Sequence, residues 1–384
     1  MLPLYLRAPV TVDVDEKTRR EKALLYALVD KITSRALDMA RSTAASQVRM
    51  DPSKRGESVV LLEDELSSRV IGQPQAVDCM VRAFQTLAAG LNPINRPIAV
   101  MMFAGATGVG KTRLVEATAE VTLGSPQAVT KIDCAEFQHS HEISKLIGSP
   151  AGYLGHRETP PFLMQKTLDR FQTPAYQINF ILFDEIEKAS DALWNLLLGI
   201  LDKGILTLGD GGKTDFQKSI ITMTTNLGAK EMDKLLGGKS IGFTPCSTGD
   251  GKIEGVAIKA IQHRFTPEFI NRIDSTVVFN QLEHKHYVVI ADLEMQAVQR
   301  RILAANTVPF VLRWSKSAIE FLLEDGIDAR FGARGLKRTI ERHVVVPLSN
   351  LIATGQIHSG DTVTVNLDGD ILGFFNQAVS VVAK

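Results

Sequence analysis

Only three cysteines occur in 384 residues, and Cys79, Cys134 and Cys246 lie far apart. They make neither a disulfide framework nor a paired metal knuckle, which suits a reducing, cytoplasmic setting. Charge of either sign is not in excess: 43 Lys and Arg face 43 Asp and Glu. A chain that lives on nucleic acid usually carries a clear basic surplus, so no nucleic-acid partner is expected, although a local basic face stays open. No apolar run approaches the ~20 residues that a membrane span needs, so no membrane partner is expected. The opening stretch MLPLYLRAPVTVDVDEK lacks a basic segment followed by a long apolar one, and no secretory leader is expected. There is no internal repeat and no low-complexity tract. What is present is ordinary for a globular protein, 45% hydrophobic and 22% charged residues, which excludes a disordered or fibrous chain. At about 100–200 residues per domain, the length admits two or three domains.

Three regions differ in pattern. Residues 1–57 are mostly polar. Within them Leu25, Leu28, Val29, Ile32 and Met39 share helical spacing, which predicts one amphipathic helix over about 16–46. That helix either packs on its own domain or docks a partner or substrate. Asp51-Pro52-Ser53-Lys54-Arg55-Gly56 reads as a linker. Over residues 58–280, five apolar runs alternate with helical segments: Ile98–Phe103, Val129–Ile132, Ile178–Phe183, Ile220–Thr224 and Thr276–Phe279. This alternation predicts an α/β layer fold around a five-stranded, mostly parallel sheet. Residues 281–384 predict a smaller, mainly helical domain, with helices over His284–Ala305, Lys316–Leu323 and Gly335–Leu348 and a strand over Thr362–Leu367.

The strongest motif is Gly105-Ala106-Thr107-Gly108-Val109-Gly110-Lys111-Thr112, which satisfies G-x-x-x-x-G-K-[ST] between a strand and a helix. Glycines let the backbone wrap phosphates, the helix N-terminus attracts an anion, and Lys111 neutralises β/γ oxygens. The Thr112 hydroxyl is suited to Mg²⁺. The second motif is the strand Phe180–Phe183 ending in Asp184-Glu185, which puts two carboxylates at the ligand-binding edge of such a sheet. Asp184 is suited to hold Mg²⁺ through water, and Glu185 to polarise an attacking water. The run Ile220–Thr224 ends in Thr225-Asn226. From spacing alone Asn226 is either a turn residue or an amide that reaches the γ-phosphate or that water.

Further segments appear together and in order: Arg69-Val70-Ile71-Gly72-Gln73, Leu146–Gly155, Leu182–Ala189, Met223–Gly228, Phe265–Asp274 and Gly332–Arg338. With the phosphate loop they resemble the AAA+ ATPases of the Clp/heat-shock unfoldase family, most closely the second ATPase ring of the two-ring members. The resemblance covers about residues 60–370. It implies an AAA+ three-layer ATPase domain with a smaller C-terminal domain, and ATP with Mg²⁺ as ligands. It also implies a homo-oligomeric ring, a hexamer in this family. Asn226 falls on the sensor-1 position, and Arg272 on the arginine finger that reaches the neighbouring subunit's site. Arg334 falls on sensor 2, supplied by the small domain of the same subunit. A guanidinium suits both arginine jobs, since it is always charged and forks onto phosphate oxygens. Arg264 is a less suitable finger. Val70 and Ile71 fall on the adenine-contacting pair.

The resemblance also implies what the energy does. Gly152-Tyr153-Leu154-Gly155 aligns with the pore loop that grips an extended polypeptide, so protein unfolding or chaperone activity by threading is expected. His156, Arg157, Pro160 and Pro161 depart from the relatives' pattern and make this loop stiffer and more basic. Ile241-Gly242-Phe243 is similar to the tripeptide that docks onto a Clp peptidase ring, and the alternative is a loop that packs on its own domain. The competing functions are an assembly or secretion ATPase serving one partner, or a nucleic-acid motor.

Overall fold

Helices α1 (Glu57–Arg69) and α2 (Pro74–Ala88) precede strand β1 (Ala99–Ala104), and α3 (Lys111–Leu123) leads to β2 (Val129–Asp133). Strand β3 (Asn179–Asp184) is followed by α4 (Asp191–Lys203), a hairpin of β4 (Ile205–Thr207) and β5 (Lys213–Asp215), and β6 (Ser219–Thr225). Helix α5 (Asp250–Arg264) and β7 (Ser275–Val278) complete this part. The computed structural model describes residues 30–31, 33–35, 50–148, 161–229, 250–305, 307–327 and 332–377. Of the expected helix over 16–46, only residues 30, 31 and 33–35 lie inside those ranges; they are helical and exposed.

The five strands form one sheet in the order β2-β3-β6-β1-β7, and every neighbouring pair is parallel. All five coincide, within a residue or two at each end, with the runs expected from the sequence. Strands β1 and β6 are buried along their whole length, which is why each reads as a nearly unbroken apolar or β-branched run. The two-residue period of a strand divides β1 between two cores. Met101 and Phe103 pack with Met80, Leu114, Phe180 and Leu182 under α1, α2 and α3. Val100 and Met102 pack with Ile181, Phe183, Leu197 and Phe265 under α4 and α5. The result is helix, sheet and helix in three layers. Helix α4 shows the driving force: Leu193, Leu197, Ile200 and Leu201 are spaced for one face, and all four are buried. Each such burial stabilises by about 1.5–3 kcal/mol.

The later residues form helices α6 (His284–Ala304), α7 (Lys316–Gly326), α8 (Ala333–Ile340) and α9 (Val346–Ala353). They also form strands β8 (Val311–Trp314), β9 (Thr362–Asp368) and β10 (Ile371–Gln377), in a sheet of order β10-β9-β8. A third core, including Met295, Phe310, Leu322, Leu336 and Val365, lies between them. Helix outweighs strand here, as expected, but two of the three strands were not foreseen. The expected helix over Gly335–Leu348 starts at Ala333 and passes through a π-helical turn at Glu341–Val345. Pro347, at the start of α9, explains the turn: it has no N–H to give the carbonyl four residues back, and its ring crowds that carbonyl.

Candidate active site

The loop between β1 and α3 turns on glycines with positive φ, Gly105 (147°), Gly108 (79°) and Gly110 (107°). At Gly105 an added Cβ would lie 3.1 Å from the Phe279 side chain, so the close approach of the chain leaving β7 also requires glycine. Gly110 caps α3 without a side-chain bond, which leaves the first-turn amides aimed at the loop's concavity. Lys111, first residue of α3, is 8% exposed. Its ammonium donates to the carbonyls of Gly105 (2.6 Å) and Ala106 (2.8 Å) and to Asn226 Oδ1 (2.8 Å). All three acceptors are neutral. Burial accordingly pulls the Lys111 pKa down to about 8, against the opposing pull of the Glu187, Asp184 and Glu185 carboxylates. A buried cation with only neutral bonds, beside the uncapped first turn of α3, fits a phosphate ligand.

Strand β3 delivers Asp184 and Glu185 beside it. Burial pushes the Asp184 carboxyl up, but hydrogen bonds from Thr224 and Lys131 and the charges of Lys131 and Lys111 more than offset this. The net result is a pKa below the usual carboxylate range. Lys131, on the adjacent β2, stands 3.0 Å from Asp184 Oδ2. Glu185 has left-handed backbone angles (φ 55°, ψ 51°) and its N–H donates to Thr224 Oγ1 at 3.0 Å. One of its carboxylate oxygens accepts from Asn226 Nδ2 at 3.1 Å, and the other pairs with Lys188. Asn226, at the end of β6, is held by its own N–H, which donates to Glu187 Oε1 at 3.1 Å. The structure thus joins Lys111, Asp184, Glu185 and Asn226 in one cluster. The buried Cys134 thiol nearby is pushed up by burial and stays protonated.

Arg334, on the exposed face of α8, belongs to the same neighbourhood, since its charge acts on Lys111. The N-terminus of α8 docks on the phosphate loop: Ala333 N donates to Gly108 O at 3.2 Å. Val70 is buried, and its side chain lies 3.9 Å from where a Gly110 Cβ would sit. Ile71 is half-buried beside it in sequence. Thr112 occupies the first turn of α3, half-buried. Arg272 is elsewhere: it bonds Asp202 Oδ2 (3.0 Å) and Glu268, and none of the cluster. Gly152–Gly155, His156, Arg157, Pro160 and Ile241–Phe243 lie outside the described residues. Among the described residues no group of three or more His, Cys, Asp or Glu is placed to hold a metal by itself, and no helix is long and apolar enough to cross a membrane.

Some contributors were not singled out from sequence. Gln73, buried between Gly72 and Pro74, donates to Val109 O (3.1 Å) and Asn280 O (2.9 Å) and accepts from Asn280 N (2.8 Å). It ties the phosphate loop to the chain leaving β7. In sequence it closes the segment Arg69–Gln73, with no role of its own marked beyond a polar residue between a glycine and a helix-starting proline.

A parallel sheet with the phosphate loop after one central strand and two acids at the end of a nearby strand defines a P-loop nucleoside triphosphatase. Residues 96–276 match the family model described as "AAA domain (Cdc48 subfamily)", and residues 282–365 the "C-terminal, D2-small domain, of ClpB protein". The chain belongs to the AAA+ ATPases of the Clp/heat-shock family. It is 36% identical to the chloroplastic chaperone protein ClpC3 of Oryza sativa subsp. japonica, over 84% of this chain and 34% of that one. It is 37% identical to chaperone protein ClpB 2 of Nostoc sp., over 85% and 35%. The chain therefore spans about a third of the length of the curated relatives it matches. Among solved structures, the S. cerevisiae Hsp104:casein complex in its extended conformation is similar with a TM-score of 0.71 at 29% identity, covering 85% of this chain and 53% of that one. Hsp104 with ATPγS and FITC casein in a closed state gives 0.69 at 30% identity, covering 84% and 53%.

Proposed function

We propose that this chain hydrolyses ATP at sites shared between protomers of a homo-oligomeric, hexameric ring and uses the energy to pull polypeptide through it. The observation that supports hydrolysis is the Lys111–Asn226–Glu185 cluster, which puts a cation for phosphate and a carboxylate for water on the two ends of one amide. Glu185 takes a proton from the attacking water. The water oxygen forms the new bond to the γ-phosphorus as the bond to the β–γ bridging oxygen breaks, and Lys111 offsets the charge that develops. Val70 and Ile71 receive adenine, and the loop Gly105–Gly110 cradles the phosphates. Thr112 and Asp184 are the residues that would hold Mg²⁺, which would supply further positive charge to the phosphates. Asn226 orients the water, and Arg334 reaches the phosphates from the same protomer. Arg272, turned away from its own site, serves the neighbour's. A finger of this kind is worth roughly 10³-fold or more in rate.

The family-model boundary between residues 276 and 282 supports a large domain over 58–280 and a small one over 281–384. Casein in the titles of the Hsp104 structures supports polypeptide as the substrate class, gripped by Tyr153 in Gly152–Gly155. Docking of Ile241–Phe243 on a Clp peptidase rests on its sequence alone, as does cytoplasmic placement on composition. The test is ATP-driven unfolding of a tagged stable protein. Wild type unfolds it, and Tyr153→Ala hydrolyses ATP but does not; equal unfolding by both overturns the threading role.

A further inference from the structure

Glu185 is a non-glycine residue in the left-handed region, with φ 55° and ψ 51°. Such a conformation costs free energy and persists only when the surroundings over-determine it. On its upstream side the Glu185 N–H is held by Thr224 Oγ1. Downstream the chain makes a single tight turn, Ile186–Lys188, in which Lys188 N bonds Glu185 O at 2.9 Å. One short turn cannot hold a strained residue by itself. Asn226 holds the side chains of Glu185 and Glu187, and two side chains from different helices hold the backbone carbonyls of the turn. Trp194, on α4, donates its indole N–H to Ile186 O at 3.1 Å. Arg264, the last residue of α5, donates to Glu187 O at 3.0 Å.

The two donors also fix each other. The Arg264 guanidinium lies 4.3 Å from the centre of the Trp194 ring, and Phe265 meets the same ring edge-on at 5.2 Å. Consecutive carbonyls of the turn, those of Ile186 and Glu187, therefore accept from two side chains that stack on each other.

We infer that Trp194 and Arg264 are positioning residues, a brace that holds the Glu185 turn and so aims its carboxylate. The inference rests on reading Glu185 as the group that activates water. It gives Arg264 a place in its own protomer's site rather than in a neighbour's.

The test uses the assembled full chain. Trp194→Phe keeps an aromatic ring against Phe265 and removes the N–H. Arg264→Gln removes the stacked fork. Each is expected to lower kcat for ATP about tenfold, equal to ~1.4 kcal/mol, with KM within twofold. Amide hydrogen exchange of residues 186–189 should quicken in both, while residues 105–112 exchange as in wild type. Unchanged exchange at 186–189 in both variants overturns the brace. So does loss of activity through KM with faster exchange across both segments, which is general loosening. Glu185→Gln separates the two readings: it should lose turnover yet keep wild-type exchange at 186–189. Normal turnover in Glu185→Gln defeats the water-activating role of Glu185, while the exchange measurement still judges the brace.

Discussion

Lys111 and Asn226 are joined by a 2.8 Å hydrogen bond from the ammonium to the side-chain carbonyl oxygen. Lysine can only donate and a carboxylate can only accept, so this bond fixes which way the amide points. Its oxygen faces Lys111 and its nitrogen faces Glu185, 3.1 Å away. A change in where Lys111 sits is thereby passed to Glu185 through one rigid planar group.

Asn226→Asp should break that transmission. It keeps an oxygen for Lys111 and sets a second oxygen against Glu185, where a donor had been. Turnover is expected to fall about 10²-fold or more, as for loss of one preorganised donor, while ATP affinity changes little. Single-turnover hydrolysis alongside fluorescent-nucleotide binding measures both. Unaltered turnover contradicts the orienting role.

The Lys111 pKa of about 8 gives a pH dependence with a definite sign. Without nucleotide the lysine begins to discharge as pH rises through 8, well before an unfolded lysine does. The nucleotide-free protein therefore becomes more stable between about pH 8 and the ordinary lysine value of 10.5, since the unfolded state binds more protons there. Nucleotide affinity moves the opposite way, because phosphate needs the charged form. Calorimetric titration should find ATP binding about tenfold weaker at pH 9 than at pH 7, with proton uptake on binding at the higher pH.

Gly332, the N-cap of α8, packs directly on the phosphate loop. It has φ 55°, and an added Cβ would stand 2.8 Å from Thr107 O and 3.0 Å from Gly108 O. Gly332→Ala should cost about 1–3 kcal/mol through backbone strain and contact, and weaken ATP binding by displacing α8 from the loop. Thermal unfolding with and without nucleotide reads both effects; the loss should be larger with nucleotide.

Much of this was legible because buried parallel strands are chemically loud. Ile178–Phe183 and Ile220–Thr224 are short, nearly unbroken apolar or β-branched runs of the kind a covered parallel sheet uses, and a glycine-rich loop between a strand and Lys111-Thr112 has few other uses. What escaped is set by distant packing. Strands β4 and β5 have three residues each, too few to show a two-residue period. Strand β8 is four residues long and took its identity from pairing with β9. Trp194 carries no motif that singles it out, and Arg264 stands out in the sequence only as a less suitable finger than Arg272. Their meeting over the Glu185 turn depends on how α4 and α5 cross the sheet. Gln73 is local in sequence to none of its partners, which sit 36 and 207 residues away.

The shared-site claim is tested most directly by mixing two inactive variants. Arg272→Ala retains a complete phosphate site but offers no finger, and Lys111→Ala offers the finger but cannot hold phosphate. Equal random mixing in a ring should pair about a quarter of the sites productively, restoring about that share of wild-type ATPase activity. No recovery in rings shown by mass measurement to contain both variants would contradict hydrolysis across the protomer boundary.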